Sequence, residues 1–356
     1  MRTLRLALAL ALLGGAVRLA AMIFYASGDA NYNTTAPTGS LTNSGWQWQG
    51  YWHGFCGTSI GTNLFITAQH VGGVTGNTFS FAGTDYRTVA RFADTNSDLV
   101  IWQVCGTFPS FAPLYQTGDE IYRACVVFGR GVTRGSEVTI TNNGTAAVRG
   151  WHWGAADDRL RWGVNKITAL STGGIGTARL LVAPFDRNGG ANAAALGSGD
   201  SGGAVFINNS GWRLAGINFA VDGPYNYVAN GPGFFAALFD ASGLYDEVDT
   251  NVWKLVATAQ PSAFYATRIF DRLAWIRSVI AAHDGQQPAP ALEAADTVTG
   301  PFMTVTGAVV NATAQTITVP MPAKPQFYRL NGCVSLQVSS VKFSGGKLVL
   351  TWTNGS

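Results

Sequence analysis

Between residues 46 and 128 the chain alternates short apolar runs with clusters of Gly, Asn, Asp and Thr. The runs at 64–66, 88–90, 99–102 and 121–128 are rich in β-branched and aromatic residues. Short runs of this kind at close spacing predict the strands of a barrel or sandwich. A second set lies at 137–141, 146–149, 165–169, 179–183, 204–207 and 212–220, and residues 222–260 read as an insertion. Across 264–282 the period changes. Ile269, Leu273, Ile276 and Ile280 fall at helical spacing and predict one amphipathic packing helix.

The two ends read differently. Arg2 and Arg5 precede an apolar run from Leu6 to Val17, the pattern of a secretory leader. That run is too short to span a bilayer, so no stable membrane span is expected, with a retained signal-anchor as the minority alternative because residues 20–25 partly resume the pattern. Residues 26–28 and 28–30 both offer small side chains at cleavage spacing, and residues 1–28 are assigned to the leader. Residues 29–48 read as irregular. Residues 284–301, with Pro288 and Pro290, read as a linker. Residues 302–356 alternate apolar and polar positions and predict a small β module with a marginal core.

Composition narrows the function classes. The 356 residues are 47% hydrophobic and only 12% charged, which fits a β-rich secreted or cell-envelope protein. The net charge of +3 is not concentrated in any Lys/Arg run, so a nucleic-acid partner is not expected. The four cysteines Cys56, Cys105, Cys125 and Cys333 allow three pairings, with Cys105–Cys125 as the candidate. No Cys/His cluster has zinc spacing, and no metal or cofactor is expected.

The candidate chemistry centres on Gly199-Asp200-Ser201-Gly202-Gly203, followed by the apolar run 204–207. A serine fenced by glycines has an exposed hydroxyl. The glycines let nearby amides turn toward one point, as a nucleophile with an oxyanion hole requires. Upstream, the run 64–68 delivers His70, and Asp98 directly precedes the run 99–102.

In that order, His, Asp, Ser, these blocks resemble the chymotrypsin/trypsin-like serine proteases. Thr67-Ala68-Gln69-His70 is similar to the family's Thr-Ala-Ala-His, and Asp98-Leu99-Val100-Ile101 to its Asp-Ile-Ala-Leu. Gly199 to Gly203 matches its serine block unchanged. Residues 261–269, then Leu273-Ala274-Trp275-Ile276, resemble its closing strand and C-terminal helix. The animal members' Ile-Val-Gly-Gly start is missing ahead of Cys56, so the chain is more like a secreted bacterial-type member. Asp200, which holds the freed amine in those relatives, then needs another partner or role. The family's bridge around the histidine is also missing, because Val71 stands where its second cysteine would be.

The resemblance implies an all-β fold of two six-stranded antiparallel β-barrels, chymotrypsin-like, with a C-terminal helix. The protease domain would cover 29–283, and the β module 302–356 would follow the linker. Ser201 would attack the carbonyl carbon, His70 would carry the proton, and Asp98 would orient the imidazole. The amides of Gly199 and Ser201 would bind the oxyanion. Ala195 would lie at the base of the side-chain pocket, arguing against a basic preference. Asn218-Phe219-Ala220 would pair with a protein or peptide substrate. The module is expected to bind a surface or another protein.

Two other classes compete. An α/β-hydrolase elbow needs a helix after the serine and a histidine downstream, whereas here a strand-like run follows and the downstream histidine is His283. The second alternative is a catalytically inactive protease-like scaffold acting as a secreted binding or adhesion protein. Against it, all three triad residue types stand in intact motifs.

Overall fold

The computed structural model describes residues 22–142, 144–287, 289–322, 324, 326–333 and 336–354. The apolar run at 6–17, expected to be a leader, lies outside the described residues. The chain divides into two compact units, one ending at Asp284 and one beginning at Gly285.

In the first unit, strands β1 (Gln49–Trp52), β2 (Phe55–Ser59), β3 (Leu64–Ala68), β4 (Thr78–Phe81), β5 (Thr84–Ala93) and β6 (Leu99–Val104) close a barrel in the order β1-β2-β3-β6-β5-β4. Every residue of β3 and β6 is buried, which explains their unbroken apolar runs. Each strand serves two cores. Phe65, Val100, Trp102 and Val104 point into the barrel with Trp52 and Phe79. Leu64, Ile66, Ala68, Leu99 and Ile101 point outward onto Phe128, Phe206 and Ile276.

The next strands are β7 (Ala124–Gly129), β8 (Val132–Asn142), β9 (Thr145–Ala156), β10 (Arg161–Lys166), β11 (Ala169–Ser171), β12 (Leu180–Pro184), β13 (Ala204–Asn208), β14 (Trp212–Val221) and β15 (Ala263–Arg268). Seven of these form one antiparallel sheet, ordered β10-β7-β13-β14-β15-β12-β11. Its pairing ends at β10 and β11, so among the described residues this half is a half-barrel of seven strands beside the closed six-stranded barrel. The pair β8–β9 instead joins a separate three-stranded sheet with Ala236–Leu238. Helix α1 (Leu273–His283) packs Leu273, Ile276 and Val279 onto the core shared with the barrel. This all-β arrangement, a closed barrel, a second antiparallel sheet and one terminal helix, is consistent with the chymotrypsin-like fold.

Two sequence boundaries move. Ile23–Phe24 pairs antiparallel with Ala194–Ala195, and Met22, Ile23 and Phe24 are fully buried. A leader ending at residue 28 would carry these core residues away, so residues 22–28 count with the folded unit and not with the leader. In the second unit, Ala291–Ala295 lies inside the stretch read as linker, yet it is a strand pairing with Phe327–Asn331. Its Leu292 is buried against Ile317, Val319, Leu348, Leu350 and Trp352. The prolines around it mask that short alternation in the sequence.

Candidate active site

Register places the first two candidate side chains. Ala68 at the end of β3 pairs with Leu99 at the start of β6. The chain beyond Ala68 and the chain before Leu99 are therefore neighbours, although 28 positions separate His70 from Asp98. Gln69 donates its main-chain N–H to the Asp98 carbonyl at 2.5 Å. The His70 main-chain N–H donates to Asp98 Oδ1 at 3.0 Å, and His70 Nδ1 lies 2.5 Å from Asp98 Oδ2. Asp98 is 2% exposed and the His70 side chain 20% exposed. A carboxylate on Nδ1 favours the tautomer with its proton there, which leaves Nε2 as an acceptor. That Nε2 lies 2.8 Å from Ser201 Oγ.

Ser201 reaches this point because its loop packs tightly on its surroundings. Gly202 has φ +72°, and a Cβ there would strike Thr67 Oγ1 and the Cys56 carbonyl. Behind the loop, the Asn218 side chain donates to the carbonyls of Phe128 (2.8 Å) and Asp200 (3.0 Å). The Asn218 N–H donates to Gly203 O at 2.7 Å, and Asn218 O accepts from Gly202 N–H at 3.0 Å. Asn218 is thus a clamp on the serine loop. Its N–H is taken up by Gly203, while its carbonyl, which accepts one N–H from Gly202, keeps a second lone pair. Phe219 sits at an irregularity in the β14–β15 register and sets its ring edge-on to His70, with centroids 5.9 Å apart. Ala220 pairs with Tyr265.

Gly199, with φ +90°, opens the turn. Among the described residues neither the Gly199 nor the Ser201 amide is bonded to a protein acceptor. Ala195 is buried and pairs with Ile23, in a cluster with Val132, Trp151 and Phe185. Trp153 stacks on Phe235 with centroids 4.5 Å apart, beside Gly197.

Asp200 has found partners that the sequence did not offer. Its carboxylate accepts the N–H groups of Gly131 (2.7 Å) and Gly197 (2.8 Å), and also the Met22 main chain. Burial raises its pKa to about 7, while those hydrogen bonds and the Arg161 charge act in the opposite direction. The run 22–25 was the available signal, but in the sequence it merges with the apolar run before it.

The remaining histidines take other roles: His53 bonds Asn77, His152 lies against Phe234, and His283 stacks on Phe92. Cys125 is a buried free thiol, so the Cys105–Cys125 pairing does not form. Cys56 is likewise free and buried. Among the described residues no group of three His, Cys, Asp or Glu could hold a metal ion, and no helix is long and apolar enough to cross a membrane.

No family model and no curated protein matches the chain. Among solved structures, neuropsin, a serine protease expressed in the limbic system of mouse brain, is similar with a TM-score of 0.38 and 12% identity. The match covers 67% of this chain and 96% of that one.

Proposed function

We propose that this chain is a secreted or cell-envelope serine endopeptidase acting on protein or peptide substrates. One observation carries the reading: an unbroken hydrogen-bonded line runs from the buried Asp98 carboxylate through both ring nitrogens of His70 to the Ser201 hydroxyl.

The chemistry follows from that line. His70 Nε2 takes the Ser201 proton as Oγ bonds to the substrate carbonyl carbon. The carbonyl π electrons move onto oxygen, and the uncommitted amides of Gly199 and Ser201 stabilise the oxyanion. His70 then gives the proton to the leaving nitrogen as the C–N bond breaks, leaving an acyl-serine. Water, deprotonated by the same Nε2, releases the acid and restores the hydroxyl. Asp98 keeps the ring oriented and stabilises the transient imidazolium. Ala195 supplies no charge for a basic side chain, so uncharged residues are favoured before the cut.

Labelling with a serine-directed phosphonate tests this. Wild type should be tagged covalently and Ser201→Ala should not. An untagged wild type would leave the inactive-scaffold reading.

A further inference from the structure

Asp98 stands on a short loop whose geometry is fixed from below by a buried carboxylate, Asp94. The Asp94 N–H donates to the Leu99 carbonyl at 2.9 Å and closes the loop. Its Oδ2 accepts the Ser97 hydroxyl at 2.5 Å, and Ser97 Oγ in turn accepts the Leu99 N–H at 3.2 Å. Its Oδ1 accepts the Asn96 N–H at 3.2 Å. The loop is also tied to the histidine side. Gln69, which directly precedes His70, donates its side-chain amide to the carbonyls of Asp94 (3.3 Å) and Ser97 (3.4 Å).

Asp94 is 2% exposed, so its charge needs a partner. That partner comes from far along the chain. Arg272, immediately before α1, donates Nε to Asp94 Oδ2 at 2.5 Å and Nη2 to Oδ1 at 2.6 Å. Such two-point pairing fixes orientation as well as position. The base of α1 is itself anchored by Leu273 and Ile276 in the core that β3 and β6 share. The helix is thereby connected through one ion pair to the loop that presents Asp98.

We propose that Asp94 and Arg272 are positioning residues for the proposed hydrolysis, holding Asp98 at hydrogen-bonding distance from His70 Nδ1. The proposal rests on the protease reading, but one of its readouts needs no turnover. Substitution of Asp94 by Ala leaves Arg272 and Ser97 without their acceptor, so the loop relaxes and the Asp98–His70 bond loosens. Arg272→Ala leaves a buried carboxylate unpaired and acts on the same loop.

The test uses the full chain with Asp94→Ala, Asp94→Asn, Arg272→Ala and Arg272→Lys, each checked for folding by circular dichroism. The first readout is the proton resonance of the hydrogen-bonded His70 Nδ1–H, assigned by its loss in Asp98→Asn. Asp94→Ala and Arg272→Ala should broaden or remove it, and Arg272→Lys should keep it. The second readout is kinetic. Asp94→Ala should lower kcat about tenfold or more with KM nearly unchanged, and Arg272→Lys should recover most of that loss. On an Asp98→Asn background, adding Asp94→Ala should change kcat less than twofold, because the two act through one bond.

If Asp94→Ala or, should that not fold, Asp94→Asn keeps the resonance and kcat within twofold, the proposal is overturned. A kcat loss that multiplies in full on the Asp98→Asn background overturns it as well. The protease reading fails separately, if wild type shows the resonance yet cleaves no peptide. The resonance series alone then decides the positioning claim.

Discussion

The Asp200 carboxylate is hydrogen-bonded to the main chain of Met22, which ties the neighbour of Ser201 to the first described residue of the protein. Met22, Ile23 and Phe24 are all but inaccessible to solvent, and Ile23 pairs with Ala195. Relative to a chain starting at Met22, one starting at Asp29 should therefore lose several kcal/mol, at about 1.5–3 kcal/mol for each large buried side chain removed. Urea unfolding of the two truncations checks this. Equal midpoints would show that the segment contributes nothing.

Asp200 also predicts a pH dependence of stability. Its folded pKa, about 7, lies above the ordinary carboxylate value of 3.8, so the folded state holds a proton that the unfolded chain releases. This contribution is complete below about pH 4 and is lost as pH rises through about 7, with a slope of at most about 1.4 kcal/mol per pH unit. Denaturant titrations at pH 4.5 and 7.5 should show the loss against Asp200→Asn, whose stability carries no such term. A contribution that grows with pH would contradict it.

The hydrogen-bonded line from Asp98 to Ser201 predicts steep kinetic losses. Ser201→Ala, His70→Ala and Asp98→Asn should each lower kcat by about 10⁴-fold or more while changing KM little, and double variants should lose little beyond the worst single one. Stopped assays on one peptide ester series would expose any simple multiplication of the losses.

Gly202→Ala places a methyl group against Thr67 Oγ1 and the Cys56 carbonyl, at a φ of +72° that side chains rarely adopt. Stability should fall by about 1–3 kcal/mol, and phosphonate labelling should slow at least tenfold. Ser201→Ala serves as the folding control, since it removes only an oxygen. A Gly202→Ala protein that labels at the wild-type rate would mean the loop has room to spare.

With Ala195 buried at the expected pocket base, peptides with Phe, Leu or Ala before the cut should be cleaved faster than those with Lys or Arg. A library readout with basic residues dominant at that position would reverse the assignment.

The parts of the site carried by local patterns were legible in the sequence. His70 follows a run buried on both faces, Asp98 begins another, and Ser201 precedes two glycines, Gly202 and Gly203, whose neighbours leave no room for a side chain. What was hidden depends on contacts far apart in the chain. Asp94 and Arg272 are 178 positions apart, and neither stands in a motif. The strand Ile23–Phe24 has the composition of a leader, so only its partner Ala194–Ala195 reveals it as part of the core. Asn218 also clamps the serine loop, a role that its place in the apolar run of β14 does not announce. Its hydrogen bonds to Gly202 and Gly203 emerge only once the serine loop folds back upon it. The two sets of strands were visible as a count, whereas the pairing that closes the first and leaves the second a half-barrel was not.

Because β3 and β6 each face two cores, the hydrogen-bonded seam between them is insulated on both sides. Amides along that seam should be among the last in the molecule to exchange with deuterium. Heating should then abolish any activity only when the whole first unit melts, so that inactivation and global unfolding trace a single curve.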